Sequence, residues 1–204
     1  MIFPEIFKNQ WRPGILPGRM PSAAPTCERK AMPKKYFPFL FLLLIFAAPR
    51  ASALTGTAVL KPTSDASKVE GKATFEEAGG GLNVQVQITG AEPGKHGFHI
   101  HQFGSCEDAG RAAGGHYNPD NTPHGYLPEK GMAAAHAGDF GNIEIGKTGR
   151  GKLELMIPAL SLVKGKYPVA GRAVILHEQE DDFSQPTGNA GGRIACGIIG
   201  ISQE

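Results

Sequence analysis

The stretch Gly81-Leu82-Asn83-Val84-Gln85-Val86-Gln87-Ile88 alternates apolar and polar residues without a break. Side chains of a β-strand point alternately to opposite faces, so this pattern buries Leu82, Val84, Val86 and Ile88 while their polar partners face water. Outward from it, Thr57-Ala58-Val59-Leu60 and the runs 140–145, 153–157, 172–177 and 194–201 carry further strand signals. Turn residues punctuate these runs, as at Ala78-Gly79-Gly80 and Lys147-Thr148-Gly149, and no long helical period occurs. The pattern predicts an all-β sandwich or barrel. Residues 54–204, 151 in number, suit one domain. Two glycine-rich segments, 104–135 and 178–192, interrupt the strands. Loops this long in a compact domain are usually functional.

Chemistry is concentrated in histidine. The chain has seven, and six of them, His99, His101, His116, His124, His136 and His177, fall with Asp139 in one series. Lys95-His96-Gly97-Phe98-His99-Ile100-His101-Gln102-Phe103 reads as a strand, on which His99 and His101 point the same way and can grip one ion between them. Taken alone, that pair is explained as well by a polar strand face that happens to carry histidine. The other four histidines and the aspartate favour metal. Imidazole suits copper and zinc; a nearly all-nitrogen tetragonal set favours Cu(II), and nitrogens with one carboxylate are ordinary for Zn(II). Two four-ligand sites need eight bonds from these seven residues, so one histidine must use both ring nitrogens. Spacing does not say which. His96 is expected at a strand edge or the surface.

The blocks Gly97-Phe98-His99-Ile100-His101, Gly115-His116-Tyr117-Asn118-Pro119, His136-Ala137-Gly138-Asp139-Phe140-Gly141-Asn142, His177-Glu178 and Gly188-Asn189-Ala190-Gly191-Gly192-Arg193-Ile194-Ala195-Cys196-Gly197 resemble copper/zinc superoxide dismutase. They fall in that family's order and cover about 54–202. The resemblance implies an eight-stranded Greek-key β-barrel with two long active-site loops. It implies that His99, His101, His116 and His177 hold copper and that His116, His124, His136 and Asp139 hold zinc, with His116 as the bridge. By the same resemblance Asp181 hydrogen-bonds His99 and His124 from outside both ligand sets, and Cys106 pairs with Cys196. Read without the family, Asp182 fits a solvated acidic turn. The implied reaction is dismutation of superoxide anion to oxygen and hydrogen peroxide. In the family's scheme His116 lets go of copper on reduction and carries a proton, and Arg193 attracts the anion. Cys106, five residues after His101, resembles the bacterial periplasmic type more than the cytosolic one. The segment from His124 to His136 is longer than in the cytosolic type.

The N-terminal part reads differently. After Met32, Lys34-Lys35 precede the apolar run 37–48 and the small-residue pattern Ala51-Ser52-Ala53, the organisation of a secretory signal peptide over 32–53 cleaved after Ala53. That run is short for a span of about 20 residues, so no stable membrane anchor is expected. Residues 1–31, which include the third cysteine, Cys27, read as a misassigned upstream extension. A periplasmic or secreted location agrees with a disulfide, which needs an oxidising compartment.

Charge narrows the partners. The chain has 21 basic and 19 acidic residues, and 1–53 holds eight and two of them, leaving 13 against 17 and a net charge of −4 on 54–204. That argues against nucleic-acid binding, which needs a basic patch. Superoxide is the expected partner, and a homodimer is among the assemblies left open. A copper carrier of the same fold would lack ligands or add a Cys-x-x-Cys segment, and a purely structural sandwich leaves the histidines unexplained.

Overall fold

The computed structural model describes residues 54–202; the expected signal peptide and upstream extension lie outside the described residues. The eleven strands are β1 (Thr55–Pro62), β2 (Glu70–Ala78), β3 (Gly81–Thr89), β4 (Gly94–Ile100), β5 (Asp139–Ile145), β6 (Arg150–Pro158), β7 (Leu160–Ser161), β8 (Tyr167–Pro168), β9 (Ala173–His177), β10 (Arg193–Ile198) and β11 (Gly200–Ser202). The main sheet runs β10-β9-β4-β5-β6-β3-β2-β1-β11, and a further pairing of β10 with β1 closes it. Eight strands therefore form a closed antiparallel barrel, with β11 prolonging β10 along β1 through Thr57↔Gly200 and Thr55↔Ser202. Closure leaves no sheet edge among the eight, the usual protection against edge-to-edge association.

The quoted alternation behaves as expected. Leu82, Val84, Val86 and Ile88 are at most 1% exposed, and they join Phe75, Phe98, Phe140, Leu60 and Ile143 in one core. Their register is fixed by neighbours, Val84 lying opposite Phe75 on β2 and Leu155 on β6. The β2–β3 hairpin turns through Gly79 and Gly80, both with positive φ (58° and 89°), the backbone a two-residue turn needs and glycine supplies without steric cost. β2 itself was not among the sequence signals.

Strand β9 and residues 96–100 of β4 are buried on both faces. Phe98, Ile100, Val174 and Leu176 point into the barrel, whereas Ala173 and Ile175 turn outward into a small cluster with Ala113 and Cys196, covered by Cys106. The cover comes from the two long connections, 101–138 between β4 and β5 and 178–192 between β9 and β10. The first contains a 3₁₀ turn, Arg111–Ala113, and a short helix α1, Leu127–Lys130, which takes up the lengthened His124–His136 segment. Cys106 in that connection is bonded to Cys196 in β10, with Cα atoms 5.7 Å apart.

His96 departs from expectation. It is buried, 4% exposed, because it shares the barrel-facing side of β4 with Phe98 and Ile100 and lies opposite the core residue Ile143 of β5. Its Nδ1 and Nε2 each lie 2.9 Å from a backbone carbonyl, those of His177 and Glu92.

Candidate metal centre

The barrel supplies rigid histidines and the loops complete them. His99 lies on β4, and His101 just beyond it forms an isolated bridge with His116 of the first loop. His177 ends β9, Asp139 begins β5, and His124 and His136 lie on the first loop. All seven are buried. Ligand-capable atoms of His99, His101, His116 and His177 lie within 4.8 Å of one another, and so do those of His116, His124, His136 and Asp139. His116 belongs to both groups.

Hydrogen bonds decide which ring nitrogens are free. His101 Nδ1 donates to the Gly114 carbonyl (3.0 Å) and His177 Nδ1 to that of Gly191 (3.4 Å), so in the neutral rings both Nε2 atoms are bare lone pairs. These two Nε2 atoms face each other at 3.3 Å. Two acceptors at that distance repel unless a cation lies between them. His99 Nε2 donates to Asp181 Oδ2 (2.8 Å) and His124 Nε2 to Asp181 Oδ1 (2.9 Å), which leaves both Nδ1 atoms buried without a hydrogen-bond partner. His124 Nδ1 does lie 2.8 Å from Asp139 Oδ2, but without hydrogen-bond geometry, the relation of two ligands to one ion. Asp139 also gathers His116 Nδ1 (2.8 Å) and His136 Nδ1 (3.1 Å) on Oδ1, while the amides of Gly125 and His136 donate to its Oδ2. The buried orphan lone pairs fit metal ions. One group offers four imidazole nitrogens and the other three with a carboxylate, the donor sets suited to copper and to zinc.

Electrostatics agree with that division. Burial, reinforced by neighbouring rings, holds His101 and His177 well below the ordinary imidazole range and lowers His116 to about 4. Neutral imidazole, the metal-binding form, is thereby favoured. Burial also opposes charge on His124, but the adjoining carboxylates of Asp139 and Asp181 outweigh it and raise the group to about 9. Burial opposes ionisation of Asp139 and Asp181 too, yet their histidine partners pull both carboxyls below the usual range.

The profile of the copper/zinc superoxide dismutase family matches residues 69–199. The chain belongs to the copper/zinc superoxide dismutase family. It is 42% identical over 147 residues to an extracellular Cu-Zn superoxide dismutase of Drosophila melanogaster, covering 68% of this chain and 79% of that one. It is 38% identical over 141 residues to an extracellular Cu-Zn enzyme of Caenorhabditis elegans, covering 66% of this chain and 62% of that one. The crystal structure of the clock protein EA4 superposes with a TM-score of 0.66 at 36% identity, covering 74% of this chain and 97% of that one. Copper and zinc are the cofactors that this superoxide dismutase family implies, in keeping with the donor sets.

Around the centre of this family member, an open cleft of about 380 Å³ is lined by His101, His116 and His177 together with Thr187, Asn189 and Arg193. Arg193 is half-buried and tied down, its guanidinium donating to the carbonyls of Gly110 and Gly114. Burial and the nearby charge of Arg111 lower its pKa, but a guanidinium remains a cation. Asp182 is exposed and bonds Ser184 and Asn189 at the surface.

Sequence reasoning missed several contributors. Asn142 in β5 pairs its amide with the backbone of Asp181, Oδ1 accepting from the amide N (2.8 Å) and Nδ2 donating to the carbonyl (2.9 Å). The Gln185 amide does the same to His124, at 2.9 and 2.8 Å. Asn142 stood inside a recognisable block; nothing in the sequence marked Gln185, whose partner is 61 residues away.

Proposed function

We infer that the chain is a superoxide dismutase acting outside the cytoplasm, with His99, His101, His116 and His177 as copper ligands and His116, His124, His136 and Asp139 as zinc ligands. The observation that carries this reading is His116, whose single ring belongs to both donor groups. Copper held there supplies one-electron redox chemistry, oxidising one superoxide to oxygen and reducing another, which leaves as hydrogen peroxide with two protons.

The chain's own groups do the rest. Arg193 presents a fixed positive charge at the cleft and offers N–H donors to an anion. His116 lines the cleft, and its Nε2 can hold and return a proton while its Nδ1 stays on Asp139, so the ring keeps its place. Asp181 holds the rings of His99 and His124 in one tautomer and orientation, as carboxylates outside a ligand set do. Metal analysis of the purified protein beside an assay of superoxide consumption tests the assignment. One copper and one zinc per chain with rapid turnover is the expected result; full copper loading without turnover overturns it in favour of a copper carrier.

Export is proposed on the same footing, with 32–53 as a signal peptide cleaved after Ala53 and 1–31 as an upstream extension. The named relatives are extracellular enzymes, and no helix of the described residues is long and apolar enough to cross a membrane. Leu54 is the expected first residue of protein recovered outside the cytoplasm, read by N-terminal sequencing. Kinship with the bacterial periplasmic type rests on the position of Cys106.

For assembly we propose a homodimer. Val59, Phe103 and Ile198 are exposed apolar residues, and Gly104, next to Phe103, adjoins Ile198. Ile198→Glu is expected to halve the mass measured by light scattering, and a wild-type monomer overturns the proposal.

A further inference from the structure

Alternate residues of the second loop converge on one histidine. Asp181 accepts from His124 Nε2 at 2.9 Å. The ring of Phe183 stacks on the His124 ring, centroids 6.3 Å apart and planes 24° apart. Gln185 takes the His124 amide N–H on its Oε1 and donates from Nε2 to the His124 carbonyl. Nitrogen, ring face and backbone of His124 are each held by a different side chain from five consecutive residues of a distant segment.

The backbone around these contacts is specialised. Phe183 has φ +59°, a conformation bulky side chains rarely adopt. In it the Phe183 amide donates to Asp181 Oδ1 at 2.8 Å, the same oxygen that accepts from His124. On the other side Gly188, also at positive φ, comes so close that an added Cβ would lie 1.8 Å from Asp181 Oδ1 and 2.7 Å from His124 Nε2. The Gly188 backbone thus lies against the bond between Asp181 and His124, the Phe183 ring lies along the His124 ring, and both partners of the bond are at most 4% exposed. Tyr126, two residues beyond His124, packs on Phe183 with centroids 5.8 Å apart, so the two loops meet at this point.

We propose that Phe183 and Gln185 are positioning residues for the zinc half of the site, fixing His124 so that its Nδ1 stays aimed at the metal and zinc is released slowly. A histidine held only through Nε2 can still swing about that hydrogen bond. Stacking blocks rotation of the ring, and the paired amide bonds stop its backbone from lifting with the loop. Neither residue touches the copper-side rings of His101 or His177, so the effect belongs to zinc. The inference rests on the assignment of His124 to zinc.

The test is the rate at which metal-loaded protein gives up zinc to an excess of a coloured chelator, with copper release followed in the same samples. Gln185→Ala, at an exposed loop position, and Phe183→Ala are each expected to speed zinc release by about ten- to a hundredfold, with copper release little changed. Phe183→Tyr, which keeps the stacking ring, is expected to restore slow release. Cobalt placed in the zinc site gives a second readout, since its visible spectrum reports ligand geometry and is expected to broaden in both alanine variants. Zinc release within twofold of wild type in both alanine variants overturns the proposal. Equal acceleration of copper and zinc also overturns it, since that indicates general loosening. A wild-type protein that binds no zinc refutes the zinc assignment itself, an outcome distinct from either.

Discussion

At the scale of single residues, Asp139 and Arg193 have separable duties. Asp139 accepts from or faces three histidines, so Asp139→Ala leaves His124 and His136 without their common partner. Zinc affinity is expected to fall at least about tenfold, copper being retained, as elemental analysis after dialysis will read; equal zinc in mutant and wild type refutes the ligand role. Arg193 makes no contact with Asp or Glu among the described ion pairs, so its charge is available to an incoming anion. Arg193→Ala is expected to keep both metals and slow the second-order rate about tenfold, and Arg193→Glu to slow it further. The wild-type rate should fall as salt shortens the Debye length to roughly 10 Å at 0.1 M, and part of that fall should vanish in Arg193→Ala. Unchanged rates in both variants eliminate the attraction. The two histidine groups were legible in the sequence because ligand chemistry restricts residue type. Phe183 and Gln185 were not, since stacking and amide pairing can be met by many residues and depend on where distant loops meet. His96 misled for a related reason: a polar residue in a strand suggests a wet face, and its place opposite the core residue Ile143 shows only once β4 and β5 are paired.

At the scale of elements, legibility followed burial contrast. β3 was plain because apolar and polar residues alternate strictly, whereas β2 buries little beyond Ala73 and Phe75 among charged neighbours and gave no readable pattern. β9 is buried throughout and so reads as a continuous apolar run ending in His177. The glycine-rich connections are held by what crosses them, above all the disulfide. Cys106 and Cys196 lie 90 residues apart, and closing a loop of that length is worth about 4–5 kcal/mol in the chain-entropy account. Replacing both by serine is expected to lower unfolding free energy by about that amount, measured with denaturant on metal-free protein. It should also loosen the Gly110 and Gly114 carbonyls that hold Arg193, so turnover should fall while the barrel persists. A double variant as stable as the parent removes this role.

At the scale of the whole molecule, the metal centre is where acid will act first. In metal-free protein His101, His116 and His177 have folded pKa values below the ordinary imidazole value of about 6.5, which burial causes first and neighbouring rings reinforce. Below that pH the unfolded chain takes up protons that the folded chain refuses, so stability falls as pH drops from 6.5 toward 4. His124 works the other way, its contribution being present below 6.5 and lost as pH rises through about 9. Three groups against one predict that metal-free protein melts at lower temperature at pH 5 than at pH 7, and that zinc and copper narrow the difference; scanning calorimetry of both forms checks it. A melting temperature that rises toward pH 5 contradicts the prediction.

The closing pair of the barrel sets an order of events. β1, at 55–62, finds partners not only in β2 but also in residues 195–202. The ring cannot shut until almost all of the described chain has emerged, and contacts this distant form slowly. Synthesis from the N-terminus therefore yields a long interval in which the barrel is still open. For the export proposed above, passage through a narrow membrane channel needs a chain not yet closed into its barrel, and the late joining of first strand to last would delay closure until the far side is reached.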